Sequence, residues 1–369
     1  MSKVRRTSRF ITIILCLVLT VMALASCSAG SEKKDSTSED ETQAPETTTV
    51  RLALFEHGHI LNMIAEKQGF LAEEGITVEY VRCQTDDEVF EGLANGTIDV
   101  ASNSGTNLPL QHISEGQELT IFAGYLLTGC MPIFTRVDTE WNSFLDLLGK
   151  TMACEPNMYA ISGPLLDKGY DPLQQITWLQ PEDQNDRIKA VKEGKADFGL
   201  VGTHLNYAIN SDPELKVCTY ASDILPNYSC CRVEANTEWI NENPNTVKAL
   251  LRAWIRAMEY YESHHEETVA LMGEITGKDE AFLRAYMDNP HCNLNVDPMT
   301  SSVLRAWKYL DRLGLLSKQA KEIDIQDHIN TDLYKQALDD CQAKYGSEDS
   351  KFYEKMQSMY SKYNILQME

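Results

Sequence analysis

Two loops of small polar residues, Ser102–Asn107 (SNSGTN) and Gly202–Asn206 (GTHLN), offer hydroxyls, amides and backbone N–H groups with no lysine or arginine. A third stretch, Glu56-His57-Gly58-His59, offers different chemistry. Two imidazoles at that spacing could chelate copper or zinc, with His204 completing the set. No Asp, Glu or Cys partner stands out, and H-x-H is common on loops, so neither a metal nor any other cofactor is expected. Cys230-Cys231 are adjacent and could not easily bridge or both ligate; packing is their default.

The elements that position the two loops occur twice. Glu91–Asn107 reads EGLANGTIDVASNSGTN and Lys189–His204 reads KAVKEGKADFGLVGTH. Each copy is the end of a helical pattern, a glycine (Gly96, Gly194), an aspartate three residues on (Asp99, Asp197), a short apolar run, and a Ser/Gly/Thr loop. Glycine suits the left-handed cap that stops a helix, and the apolar runs are short enough for buried strands. Taken singly, Gly and Asp would only terminate helices. The repeat is half of a β-α-β unit used twice, and ligands of open α/β sheets collect beyond the carboxyl ends of the strands.

The chain has 369 residues, 43% hydrophobic and 24% charged, which is globular composition long enough for two domains. Lys3, Arg5, Arg6 and Arg9 precede the apolar run Phe10–Ala25, the pattern of a signal peptide over residues 1–26. Leu24-Ala25-Ser26-Cys27 matches the bacterial lipobox, which predicts lipidation of Cys27. The alternative is a cleaved secretory signal with an incidental cysteine. The rest of 27–49 is mostly Ser, Thr, Glu, Asp and Lys with one Pro and no aromatic residue, a solvated tether. This places the protein outside the cytoplasm, lipid-anchored to the outer face of the cytoplasmic membrane. The formal charge is −22, and losing the leader removes four basic residues and no acidic one. Such a surface repels polyanions, which excludes a nucleic-acid role. Ten cysteines include no CxxC pair and no zinc spacing, and mostly free thiols are expected beyond Cys16 and Cys27.

Pattern and punctuation predict strands at Thr49–Phe55, Ile76–Val81, Leu119–Tyr125, Met131–Arg136, Thr151–Cys154, Ile176–Leu179 and Leu215–Tyr220. Helices are predicted over Ile60–Gly69, Asp86–Ala94, Ala160–Lys168, Asp183–Glu193, Lys278–Met287, Thr300–Leu313, Thr331–Cys341 and Ser350–Tyr363. A longer one covers Trp239–Ser263, broken or restarted at Pro244 with Asn245 as a cap. Trp254, Met258 and Tyr261 share a face of it, as core packing.

The run Ala65–Ile76 (AEKQGFLAEEGI), the two G-x-x-D elements, and Asp146–Lys150 (DLLGK) resemble the solute-binding proteins of ABC importers in the nitrate/sulfonate/taurine group. That group also includes thiamine-pyrimidine-precursor proteins. The similarity covers most of Val50–Gly314. It implies a two-lobed α/β periplasmic-binding-protein fold of type II with two hinge strands, the return hinge at Ser229–Ala235, and extra C-terminal helices. Lobe one would be 50–136 plus 235–369, and lobe two 137–234. The implied partners are a small-molecule ligand, an ABC permease and its ATPase, with the receptor acting as a monomer and not as an enzyme.

In that fold four loops would face the cleft: Phe55–Ile60, Ser102–Asn107, Glu155–Tyr159 and Gly202–Asn206, with Gly124–Thr128 and Asn227–Tyr228 near the hinges. The candidate ligand-binding residues are Phe55, Glu56, His57, His59, Asn103, Ser104, Gly105, Thr106, Tyr125, Asn157, Met158, Tyr159, Thr203, His204 and Tyr228. Ser104–Thr106 and Asn157–Tyr159 each open a helix, whose unpaired N–H groups favour an acceptor-rich or anionic group. Phe55, Tyr125, Tyr159 and Tyr228 could supply flat contacts for a ring. No loop carries the arginine that usually clamps an anion. This favours a neutral or weakly basic nitrogen heterocycle, pyrimidine-like, over sulfonate or nitrate. Glu56 could pair with an amino-bearing ring; Glu56 and Glu155 could equally point outwards as solvated acids. Two other roles remain: a surface sensor, and an enzyme resembling pyrimidine-precursor synthases, whose Cys-rich iron motif this chain lacks.

Overall fold

The structure, a computed structural model, describes residues 43–54, 59–181 and 183–365. Eleven strands run in chain order among these residues: β1 (Thr49–Leu54), β2 (Thr77–Arg82), β3 (Val100–Ser102), β4 (Leu119–Thr128), β5 (Pro132–Arg136), β6 (Thr151–Ala153), β7 (Thr177–Leu179), β8 (Phe198–Leu200), β9 (Leu215–Tyr220), β10 (Cys231–Asn236) and β11 (Asn293–Leu294). They form a six-stranded sheet ordered β11-β4-β10-β3-β1-β2 and a five-stranded sheet ordered β7-β6-β8-β5-β9.

The doubled sequence motif becomes a doubled topology. In the first sheet β1 is parallel to β2 and β3, and β3 meets the antiparallel β10, which meets β4. In the second, β6 is parallel to β7 and β8, and β8 meets the antiparallel β5, which meets β9. The G-x-x-D elements explain how each copy is set. Gly96 and Gly194 sit at φ +74° and +73°, the left-handed conformation that ends a helix without a side-chain clash. Three residues on, the Asp99 carboxylate accepts from the Arg51 backbone N–H at 2.7 Å, and the Asp197 carboxylate from that of Thr151 at 2.9 Å. The backbone N–H of each aspartate donates back to the carbonyl of the same partner, at 2.9 Å in both cases. The two aspartates therefore register the first strand of each half; they are architectural, not ligand-directed.

Each sheet takes its antiparallel strand from across a chain crossing. Sheet membership puts β5 with the second sheet, ahead of the boundary expected at 136, and all of β10 with the first, ahead of 235. Strands β4 and β10 are buried almost throughout, the continuous apolar character of a strand covered on both faces. Helix Pro244–Ser263 begins with Pro244 in its first turn and Asn243 before it, so Asn245 is helical and not the cap. Trp254 and Met258 are buried on it and Tyr261 is half-buried. Helix His265–Thr276, stopped at Gly277, has no counterpart in the expectations above, because two histidines blur the apolar spacing at its start. The described cysteines are all free thiols. Among the described residues no helix is long and apolar enough to cross a membrane.

Candidate functional site

A cavity of about 390 Å³ lies where the two sheets present the carboxyl ends of their parallel strands. That is within the usual range for small-molecule sites, roughly 300–1,000 Å³. The loop after β3 contributes Asn103, Ser104 and Gly105, and the loop after β6 contributes Asn157, Met158 and Tyr159. Thr203 and His204 follow β8; Tyr125 belongs to β4, and Tyr228 precedes β10. These ten expected residues are brought together on one wall or another. Helices Asn107–Ser114 and Tyr159–Asp167 both begin at this cavity, as their loops predict.

Other expected residues are placed elsewhere. His59 is only 1% exposed and caps helix Ile60–Lys67, its Nδ1 accepting from the Asn62 N–H at 3.1 Å. Its ring lies between Tyr125 and Trp254, with centroids 4.1 and 5.2 Å away. It is packed in the core and is not part of the cavity lining. Thr106 is buried too, its hydroxyl donating to the Ser229 carbonyl, so it ties the first half to the return crossing instead of facing the cavity. Phe55, Glu56 and His57 lie outside the described residues. Among the described residues no group of three His, Cys, Asp or Glu side chains is arranged to hold a metal ion.

The tyrosines offer ring faces, because their hydroxyls are occupied by the protein. Tyr125 Oη accepts from the Ile60 N–H at 3.1 Å. Tyr228 Oη accepts from the Gly129 N–H at 3.0 Å and donates to the Gly129 carbonyl at 3.1 Å. Tyr159 Oη donates to the carbonyls of Tyr228 and Ser229. Burial pushes all three phenols well above their ordinary range, so they stay neutral.

Loop-based reading missed the charged groups that arrive from helices. Arg187, on helix Gln184–Lys192, lines the cavity with Gln184. Its guanidinium pairs with Glu155 and donates to the Leu200 carbonyl at 3.2 Å, with the side chain 8% exposed. Glu155 is therefore neither a solvated acid nor a free one. Asp86, the first residue of helix Asp86–Asn95, also faces the cavity, as do Phe282, Tyr286 and Cys292 from the C-terminal segment. An amphipathic helix with a polar residue at its first turn was the only sequence signal for Asp86. Desolvation raises the Asp86 carboxyl above the usual carboxylate value, opposed by the Ser104 hydroxyl and helped by the charges of Asp87 and Glu155.

Behind this corner Glu234 on β10 is fully buried, and neither carboxyl oxygen has a hydrogen-bond partner. Desolvation, with the nearby Asp86 charge, lifts it well above the ordinary Glu value of 4.5, so it is held neutral. The stability that a raised folded-state pKa confers is complete below the unfolded value and is lost as pH climbs from there towards the folded value. Glu234→Gln, neutral at every pH, should therefore match wild type at pH 4 and become progressively more stable than it above pH 5. The expected gap grows by about 1.4 kcal/mol per pH unit; urea unfolding at stepped pH checks it, and parallel curves would show Glu234 ionised when folded.

A family model described as NMT1/THI5 like matches residues 56–268, more than half of the chain. The chain belongs to the NMT1/THI5-like family. A formylaminopyrimidine-binding protein of Halalkalibacterium halodurans is 23% identical over 279 residues, covering 73% of this chain and 79% of that protein. Among solved structures, the nitrate-binding protein NrtA of Synechocystis PCC 6803 superposes with a TM-score of 0.66 at 18% identity, covering 88% of this chain and all of that one. The aliphatic sulphonate binding protein SsuA of Escherichia coli gives 0.63 at 18% identity, covering 77% and 92%. This NMT1/THI5-like chain therefore has the type II periplasmic-binding-protein fold expected from its sequence.

Proposed function

We propose that the protein is an extracytoplasmic solute-binding component of an ABC importer that captures a small heteroaromatic solute, pyrimidine-like, and delivers it to a permease. Two lobes, one built on each sheet, would close on the guest, with Cys27 as the lipid anchor. The observation that carries this is the composition of the cavity. Tyr125, Tyr228, Phe282 and Tyr286 give it ring faces, Asn103, Asn107, Asn157 and Gln184 give it amides, and its one described Lys or Arg side chain is already matched to Glu155. With Asp86 added, the lining favours a neutral or weakly basic guest over an anion. The formylaminopyrimidine-binding relative points the same way.

A sulfonate or nitrate guest is the second reading, favoured by Arg187 and the two helix N-termini at the cavity. A thermal-shift screen of the chain from Ser28 onward separates them. A bound ligand at a hundredfold excess over Kd stabilises by about 2.7 kcal/mol, a shift of several degrees. Aminopyrimidines are expected to raise the midpoint, and alkanesulfonates and nitrate to leave it unchanged; the reverse pattern would overturn the first reading in favour of the second.

A further inference from the structure

One corner of the cavity is chemically unfinished. Ser104 lines it at 5% exposure, yet its hydroxyl has no partner in hydrogen-bonding geometry. The hydroxyl is still near enough to Asp86 to favour that carboxyl's charged form. Glu234, fully buried and unpartnered at both oxygens, lies close enough to Asp86 for the charge of that carboxyl to help keep it protonated. A buried hydroxyl or carboxyl left unpaired costs about 1–3 kcal/mol, and native structures leave few of them without a reason. Ser104 and Asp86 would both gain if a hydrogen-bond donor arrived from the cavity side, and an acceptor-rich anion there would make the corner worse.

We propose that Asp86 and Ser104 form the subsite that reads the donor edge of the guest, the N–C–NH2 edge of an aminopyrimidine. This rests on the heteroaromatic reading above and adds which residues choose among such rings. The carboxyl matches that edge in either protonation state. As carboxylate it accepts from the exocyclic amino group and from a protonated ring nitrogen. As acid it donates to the ring nitrogen while its carbonyl oxygen accepts from the amino group, so one proton is shared in both cases. Ser104 Oγ donates to the carboxylate or accepts the second amino hydrogen. The terminal nitrogens of Arg187 are directed elsewhere, to Glu155 and the Leu200 carbonyl. The aromatic walls fix the ring plane, and this corner fixes its rotation within that plane.

The test compares two probes of one shape, a 4-aminopyrimidine and its 4-methyl counterpart, by calorimetry on the purified protein. Wild type should bind the amino compound at least tenfold more tightly. Asp86→Leu should erase that preference and bind both at the weaker affinity, while Ser104→Ala, a small change that leaves the fold intact even if the leucine variant misfolds, should narrow it. Equal affinity of wild type for the two probes, or a preference untouched in both variants, would overturn the assignment and leave the heteroaromatic reading standing. Binding of neither probe by wild type would overturn that reading and the subsite with it.

Discussion

Arg232→Met is expected to lower the unfolding midpoint by on the order of 10 °C without touching the cavity. Arg232 is fully buried on β10, and its guanidinium donates to the carbonyls of Asp297 at 2.7 Å, Pro298 at 3.2 Å and Leu126 at 2.8 Å. Burial pulls its pKa down, and the Asp297 carboxyl is among the groups that oppose this. These bonds bolt the segment Asn295–Met299 across β4 at Gly124. A Cβ at Gly124 would lie 2.5 Å from the carbonyl oxygens of Asn295 and Asp297, so the backbones touch there. Asp297 passes the tie on, accepting from the Met299 N–H and from Asn364 Nδ2 at 2.7 Å each. Methionine keeps most of the volume but leaves three carbonyls unpaired and a buried carboxyl without its cation. Breaking such a buried arrangement from one side costs about 3–5 kcal/mol, and each kcal/mol moves the midpoint of a large domain by roughly 2–4 °C. Arg284 is the contrast. It has three carboxylate partners, Glu266, Glu280 and Asp288, but all on the surface. Arg284→Met should shift the midpoint far less, because solvent already satisfies those groups. Calorimetry of the two variants checks the ranking, and a larger loss at Arg284 would refute it.

Why Arg232 was invisible in the sequence while the repeat was plain is a matter of range. Helix stops, parallel strands and the G-x-x-D register are written within about ten residues of one another, and Gly96 to Asp99 shows its role by spacing alone. Arg232 sits in SCCRVEA, where an arginine between apolar residues looks like an outward-facing strand position; its carbonyl acceptors lie as far as 106 residues away in sequence. The site divides the same way. Loops that follow strands, such as Asn103–Gly105 and Asn157–Tyr159, could be placed by the rule for open α/β sheets. Asp86 and Arg187 could not, because each sits in a charged helical stretch where the solvated face is the ordinary reading. His59 is the opposite case. The H-x-H spacing drew attention to its imidazole, and the ring packs between Tyr125 and Trp254.

Gly163→Ala should weaken ligand binding tenfold or more, and Tyr309→Ala should restore it. Gly163 lies in helix Tyr159–Asp167, which opens at the cavity, and a Cβ there would meet the Tyr309 ring at 2.5 Å. The ring cannot swing aside freely, since its hydroxyl donates to Asp167 at 2.5 Å and it is 7% exposed. Helix Thr300–Arg312, which carries Tyr309, is tied in turn towards the first half, through Gln111 Nε2 donating to the Leu315 carbonyl at 3.1 Å just beyond its end. Asn157 Nδ2 donates to Gln111 Oε1 at 2.8 Å, joining the loop after β6 to helix Asn107–Ser114. Separating the two helices would therefore draw Asn157–Tyr159 away from Asn103–Gly105. Alanine is the better helix former by up to about 1 kcal/mol, so a loss of affinity could not be blamed on an unfolded helix. A tenfold loss corresponds to about 1.4 kcal/mol of binding free energy. If closure around the guest is what binding requires, the Gly163→Ala protein should keep a larger radius of gyration by small-angle scattering when ligand is added, and removing the Tyr309 ring should return both size and affinity. Undiminished binding in the single variant would mean that the contact between these helices does not gate the cavity.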